Sequence, residues 1–152
     1  SDLAVPPLTR DAGAANVAHR APRGLTRKAP VLDLRKLQRL VVDALEDVKG
    51  QDIKVFNTTG ITDLFDRVVV ASGTSNRQTR ALASHVRDAV KAAGGEVISM
   101  EGEETGEWVL VDLGDIVVHV MQPAIRAYYN LEELWGGKPV RVKLGAPAAS
   151  SR

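Results

Sequence analysis

Hydrophobic residues recur with a helical period in two parts of this chain. Behind Asp33, apolar residues return at three- and four-residue steps up to Gly50, which predicts an amphipathic helix with Asp33 as its N-cap. A longer helix is predicted over about residues 76–93. Ser75 or Thr74 would cap it, and Gly94-Gly95 would end it. The predicted buried residues of the two helices are Leu34, Leu37, Val41, Ala44, Leu45, Val48, Leu82, Val86, Ala89, Val90 and Ala93.

Five other segments have the alternation or the β-branched composition of strands. The run Val68-Val69-Val70 is continuous rather than alternating, which predicts a strand inside the sheet that is covered on both faces. A last helix is predicted from Pro123 through Tyr129 and onward through Trp135, and Val140–Leu144 either adds an edge strand or stays loose. The predicted strands are Asp52–Phe56, Arg67–Ala71, Glu96–Glu101, Trp108–Leu113 and Ile116–Met121.

The order α-β-β-α-β-β-β-α predicts an α+β fold (mixed α/β), a five-stranded mixed sheet flanked by helices. The long helix should connect two parallel strands. One domain, residues 31–137, would hold this core.

Composition favours a protein that works in a reducing compartment. The 152 residues are 44% hydrophobic and contain no Cys. No apolar run is long enough for a membrane span, and no signal-peptide core is visible, so we expect a cytoplasmic protein without a membrane partner.

Charge is distributed unevenly along the chain. Residues 1–30 carry five Lys or Arg against two acids, and residues 138–152 carry four against none, which leaves −6 for the body. We expect a disordered basic N-terminal extension over 1–30 and a basic flexible tail over 138–152. The extension also has the composition of an organelle transit segment. An acidic body argues against DNA binding.

The predicted hairpin of residues 108–121 lies beside a strongly acidic stretch. Six acids and no Lys or Arg fall between residues 101 and 115. Such a surface attracts basic partners. Trp108 at its start is either a partly exposed interface anchor or an ordinary core residue, and the pattern does not choose between them.

Motifs for catalysis are weak. Gly73-Thr74-Ser75 could hold a phosphate at a helix N-terminus, but it has no P-loop or GxGxxG spacing. Asp112 and Asp115 could form a metal-binding pair, although turn chemistry explains them better. We therefore predict no enzyme, no cofactor and no metal.

Several separated blocks resemble one known family. They are Lys49-Gly50-Gln51-Asp52-Ile53, Phe65-Asp66, Val70-Ala71-Ser72-Gly73-Thr74-Ser75, Glu101-Gly102, Trp108 through Asp115, Val117 through Met121, and Tyr129-Asn130-Leu131-Glu132-Glu133-Leu134-Trp135. In this order and spacing the chain resembles the ribosomal silencing factor (Iojap-like) family, RsfS, over about residues 33–136.

The resemblance implies a fold similar to a nucleotidyltransferase core and an adaptor function. Such factors bind a basic ribosomal protein on the inter-subunit face of the large ribosomal subunit, block joining of the small subunit and so repress translation. They can also form homodimers. The implied contact residues are Trp108, Asp112, Leu113, Asp115, Glu101 and Tyr129, while Asp66 and His119 match family positions and could be structural.

Two alternatives remain open from the sequence. One is a divergent nucleotidyltransferase that uses Gly73-Thr74 with Asp112 or Asp115 on a metal-bound nucleotide. The other is a structural dimer in which the acidic hairpin pairs with a basic tail.

Overall fold

The computed structural model describes residues 32–142 and residue 144. The expected N-terminal extension, residues 1–30, and most of the expected C-terminal tail lie outside the described residues. The elements in chain order are α1 (Leu34–Asp47), β1 (Gln51–Asn57), β2 (Arg67–Ser72), α2 (Asn76–Ala92), β3 (Ser99–Glu101), β4 (Trp108–Asp112), β5 (Ile116–Met121), α3 (Pro123–Tyr129) and α4 (Leu131–Leu134).

The five strands form one mixed sheet in the order β1-β2-β5-β4-β3. The β2–β5 pair is parallel, and the other three pairs are antiparallel. The predicted α+β class with a five-stranded mixed sheet and flanking helices is therefore confirmed. β2 lies inside the sheet, as its continuous apolar run predicts. β2 and β3 do run in the same direction, but β5 and β4 lie between them.

Alternating residues of the strands supply two separate cores. The helix-side core is built by α1 and α2 on one face, where Val41, Leu45, Leu82 and Val86 pack against the sheet. The second-face core lies on the other side, where α3, α4 and the loop between β1 and β2 provide the cover. Its buried members are Phe56, Phe65, Val68, Val70, Trp108, Leu110, Val117, Met121, Leu131 and Trp135. Trp135 is 4% exposed, in agreement with its predicted core position.

Side chains cap both long helices as predicted. The Asp33 carboxylate accepts a hydrogen bond from the Lys36 amide at 2.8 Å, and the Ser75 hydroxyl accepts one from the Gln78 amide at 3.0 Å. These bonds satisfy amide groups that have no partner inside a helix.

Two predicted boundaries are wrong. β3 begins at Ser99 rather than Glu96 because Ser99 already pairs with Asp112, and the residues beyond Asp112 form the hairpin turn. The last helix is not continuous through Trp135. Asn130 has a φ of 50°, a left-handed conformation that Asn tolerates better than most residues and that ends α3 before α4 begins.

The chain continues along the outer edge of β1 after α4. The Val140 amide donates to the Val55 carbonyl at 2.6 Å, and Val140 and Val142 pack against the helix-side core. The weak strand pattern of residues 140–144 thus corresponds to one β-bridge rather than to a strand among the described residues. This bridge partly covers the β1 edge, which would otherwise present unpaired backbone groups.

Candidate functional site

The hairpin turn explains three of the residues implied as contacts. The Asp112 carboxylate accepts from the Gly114 amide at 2.9 Å, and Gly114 has a φ of 93°. The side chains of Asp112 and Leu113 are buried, 3% and 2% exposed, while Asp115 is half-buried. The expectation that Asp112 stands in an exposed acidic rim is wrong because its carboxylate holds the turn.

Trp108 is a core residue. It is completely buried, so the expectation of a partly exposed anchor is wrong, and the alternative interpretation of Trp108 as core holds. Its strand position directs the indole into the second-face core, where Tyr129 lies against it with ring centroids 5.1 Å apart. A partner cannot touch Trp108 unless Tyr129 moves.

Four aromatic rings connect this core to the surface. His119 contacts Trp108, Trp108 contacts Tyr129, and Tyr129 contacts Tyr128 in an edge-to-face pair with centroids 4.9 Å apart. Exposure rises along the series: His119 and Trp108 are buried, Tyr129 is half-buried, and Tyr128 is 78% exposed. We name these residues the aromatic stack. It ends in a rigidly supported tyrosine that faces solvent.

His119 is the buried base of the aromatic stack. The Trp108 indole N–H donates to His119 Nδ1 at 3.0 Å, so Nδ1 is unprotonated and the ring proton lies on Nε2. Burial lowers the pKa of His119 to about 3. The ring is therefore neutral at physiological pH, which suits a structural acceptor rather than a proton carrier.

The residues implied as contacts do not all converge. Trp108 pairs with Met121 at one end of the hairpin, whereas Asp112 pairs with Val117 at the other. Four residue steps along β4 separate Trp108 from Asp112 by about 13 Å. Asp66 lies at the Asp112 end, where its amide donates to the Asp115 carbonyl at 2.8 Å. Only Tyr129 accompanies Trp108, and Glu101 lies between the two ends opposite Leu110.

Acidic residues lie in the segment that leads into the Trp108 end of the hairpin. The segment between β3 and β4 lies at the Trp108 end of the hairpin, and the Glu107 carbonyl accepts from the amide of Gln122 just before α3. Glu103 and Glu104 are exposed. As a candidate for partner binding, we define the docking surface as Tyr128, Tyr129 and Leu134 together with Glu101, Glu103, Glu104 and Glu107. Leu134 is 42% exposed.

The site residues predicted from the sequence include Tyr129 but neither Tyr128 nor Leu134. The angular offset of about 100° between successive helix residues does predict that only one of the two tyrosines is turned toward the core. The structure confirms this, since Tyr129 is half-buried and Tyr128 is exposed. Once Tyr129 packs against Trp108, Tyr128 must point elsewhere, and on a short surface helix that direction is solvent.

The residues of the alternative nucleotidyltransferase site are not brought together. The Gly73 amide donates to the Met121 carbonyl at one end of β5, whereas Asp115 directly precedes Ile116 at the other. Five residue steps along β5 correspond to about 17 Å. The Thr74 amide and hydroxyl both donate hydrogen bonds to the Gln78 side chain, so these two donors already have a partner within the protein. In the described part of the chain, no three His, Asp or Glu residues form a metal-binding group.

The fold is that of a small α+β protein with an exposed tyrosine packed on a buried aromatic series. A family model described as "Ribosomal silencing factor during starvation" matches residues 31–151. The chain belongs to this family, RsfS, which confirms the resemblance found in the sequence. No helix among residues 32–142 has the length and apolar character needed to cross a membrane.

Individual relatives agree with the family. The ribosomal silencing factor RsfS of Chromobacterium violaceum is 50% identical over 115 residues, which are 76% of this chain and 94% of the relative. A crystal structure of a protein from the same organism matches with a TM-score of 0.69 and 48% identity, covering 78% of this chain and 97% of that one. A Mus musculus protein named "Mitochondrial assembly of ribosomal large subunit protein 1" is 30% identical over 99 residues, 63% of this chain and 43% of that protein.

Proposed function

We propose that this protein is a cytoplasmic ribosomal silencing factor. It binds a basic protein on the inter-subunit face of the large ribosomal subunit and sterically prevents the small subunit from joining, which represses translation. The family membership supports the translational role, and the name of the mouse relative supports the large subunit as the place of action. Catalysis is not needed for such a block.

The exposure of Tyr128 on top of the aromatic stack is the observation that carries the proposal. An exposed tyrosine that is already held by Tyr129 loses little conformational freedom on binding, which is the property of an interface hot spot.

Charge adds selectivity to this apolar anchor. Glu101, Glu103, Glu104 and Glu107 lie in the strand and loop that lead into Trp108. Carboxylates around an apolar centre favour a basic protein partner and repel the phosphates of bare RNA. In this proposal Trp108 positions Tyr129, and Asp112, Leu113 and Asp115 hold the hairpin turn rather than touch the partner.

Sucrose-gradient sedimentation with purified subunits tests the proposal. Wild-type protein should travel with large subunits and reduce the yield of joined ribosomes. Tyr128→Ser should weaken this binding by more than about 2 kcal/mol, the loss typical of a hot spot, with no loss of folded protein. Ile61→Ser is a matched control, because Ile61 is 52% exposed in the loop between β1 and β2, at the Asp115 end of the sheet.

The outcomes separate the function from the site. If Ile61→Ser weakens binding as much as Tyr128→Ser, the docking surface is wrong although the function stands. If folded wild-type protein never sediments with large subunits, the function is wrong for this chain. Sedimentation velocity of the protein alone tests a homodimer at the same surface: Tyr128→Ser would then lower its mass, and large subunits would compete with self-association.

A further inference from the structure

A positively charged cleft lies away from the docking surface. It has a volume of about 470 Å³ and lies between the first turns of α1 and the chain that follows α4. Because α1 packs on the helix-side core, this cleft and the aromatic stack lie on different sides of the sheet. Its lining residues are Asp33, Arg35, Lys36, Gln38, Arg39, Val42, Arg141 and Val142.

Most of the positive charge in the cleft is not neutralised. Within residues 32–142, the side chains of Arg35, Lys36 and Arg141 make no ion pair, and all three are exposed. Arg39 is paired with Asp43 at 2.7 Å. Among the described residues, Asp33 is the one acid in the lining, and its carboxylate is directed into the helix cap.

Helix stability does not explain this arrangement of charge. α1 carries its cations Arg35, Lys36 and Arg39 in the first half and its acids Asp43, Glu46 and Asp47 in the second half. A helix has a partial positive charge at its N-terminus and a partial negative charge at its C-terminus, so this order is the reverse of the stabilising one. Cations that weaken their own helix and line a concave surface suit an anionic ligand.

We propose that this cleft binds the phosphate backbone of RNA. The lining contains no aromatic side chain on which a base could stack, so the contact would be to phosphates and independent of sequence. In the sequence, Lys143 and Arg152 follow Val142 with no acid after them, and residues 1–30 are also basic overall. A run of cations over a length of chain fits a polymeric anion better than a single phosphate.

This inference rests on the proposed function. When the docking surface binds a ribosomal protein, the cleft on the α1 side of the sheet stays free to contact neighbouring ribosomal RNA. The acidic docking surface and the basic cleft would then orient the molecule, since each repels the partner of the other.

The cleft is tested by measuring the affinity of the full chain for fluorescent RNA oligonucleotides at several salt concentrations. The oligonucleotides have mixed sequences and are either duplex or single-stranded. The triple variant Arg35→Gln, Lys36→Gln, Arg141→Gln removes three cleft cations. The matched control Arg77→Gln, Lys91→Gln, Lys49→Gln removes three exposed cations outside the cleft lining. Both keep the basic chain ends and have the same net charge.

We expect the cleft variant to bind RNA about tenfold more weakly than the control. The dependence of log K on log salt should become shallower by about 2, as expected when two or three phosphate contacts are lost. Its thermal midpoint should not fall, because Arg35 and Lys36 oppose the helix dipole and Arg141 makes no ion pair within residues 32–142. Equal losses in the two triple variants would show an effect of net charge alone and overturn the cleft.

Two further arms complete the test. Binding to vesicles with anionic phosphatidylglycerol but not to RNA would assign the cleft to lipid headgroups and reject RNA. Tyr128→Ser should bind naked RNA like the wild type while failing on large subunits. If Tyr128→Ser keeps its subunit binding and the cleft variant loses RNA, the proposed function fails at the docking surface and the cleft stands.

Discussion

The indole N–H of Trp108 donates to Nδ1 of His119 across 3.0 Å, between adjacent strands and with both side chains fully enclosed. This bond fixes the ring proton of His119 on Nε2, which has no hydrogen-bond partner among the described residues. It also fixes the plane of Trp108, and through it Tyr129. The orientation of the exposed Tyr128 therefore depends on a contact deep in the protein.

Trp108→Phe should destabilise the fold and weaken docking less than Tyr128→Ser does. The variant loses the indole donor, which leaves His119 Nδ1 unpaired at a cost of about 1–3 kcal/mol, with a further cost for the smaller ring. Chemical denaturation measures the loss, and subunit sedimentation is then done where the variant is still folded. A loss of subunit binding by folded Trp108→Phe as large as that of Tyr128→Ser would mean that Trp108 itself contacts the partner.

Stability should depend on His119 at mildly acidic pH. The folded pKa of about 3 lies below the unfolded value of 6.5, so the unfolded chain takes up a proton that the folded chain does not. The stabilisation is complete above pH 6.5 and is lost as the pH falls toward 3. Between pH 7.5 and 5.5 the expected loss is about 1.4 kcal/mol in the free energy of unfolding.

His119→Asn provides the matched variant for this test. Its side-chain oxygen can accept the bond from Trp108, and it does not titrate. Denaturation midpoints should change less between pH 7.5 and 5.5 in His119→Asn than in wild type. An unchanged slope in His119→Asn would contradict the depressed pKa.

Arg126→Met should be strongly destabilising. The Arg126 guanidinium is almost buried and donates to both Glu132 carboxylate oxygens at 3.2 and 3.3 Å and to the Ser72 hydroxyl at 2.9 Å. Burial raises the pKa of Glu132, but the hydrogen bond and charge of Arg126, together with Lys54, outweigh it and hold that pKa below 4.5. Breaking a pair of this kind costs about 3–5 kcal/mol.

A double-mutant cycle isolates the Arg126–Glu132 pair. Glu132→Gln alone should cost less than Arg126→Met, because Arg126 keeps Ser72 and has Asp52 at 3.6 Å. The double variant should be more stable than the sum of the single losses predicts. Additive losses would mean that the two side chains do not interact energetically. The ionised Glu132 contributes stability above pH 4.5 that is lost as the pH falls further.

Gly106→Ala should cost stability for two separable reasons. Gly106 has a φ of 78°, and an added Cβ would lie 2.8 Å from the Asn76 carbonyl oxygen. The left-handed conformation alone costs about 1–2 kcal/mol for a non-glycine residue. Gly136 also has a positive φ, but an added Cβ there would meet no neighbouring atom. Gly60 has neither a positive φ nor a close neighbour. The expected order of denaturation midpoints is Gly60→Ala highest and Gly106→Ala lowest.

Hydrophobic periodicity was sufficient for most of the fold. It predicted both long helices and their caps, all five strands and the interior position of Val68-Val69-Val70. These features depend on local sequence and on whether one or both faces of a strand are covered. The β3 start and the α3–α4 break depend instead on where a partner strand ends and on the left-handed conformation of Asn130, which the pattern does not reveal.

The site was harder to predict because exposure depends on tertiary contacts. Trp108 in an acidic stretch has the same sequence pattern whether Tyr129 covers it or not. Asp112 and Asp115 are close to Trp108 in sequence, but a hairpin carries them to the opposite end of the sheet. The resemblance to RsfS points to the region around Trp108 and Tyr129, and in the structure Tyr128 rather than Trp108 is exposed there.

The strand order has a consequence for the way the chain emerges during its own synthesis. Arg67 of β2 pairs with Ile116 of β5, 49 positions later (116 − 67), and β3 pairs only with β4. Until residue 121 is available, the β1–β2 hairpin and the β3 segment each have an open edge and no shared neighbour. The sheet is therefore completed only when the β4–β5 hairpin inserts between the β1–β2 hairpin and β3. Such non-local strand pairing is comparatively slow.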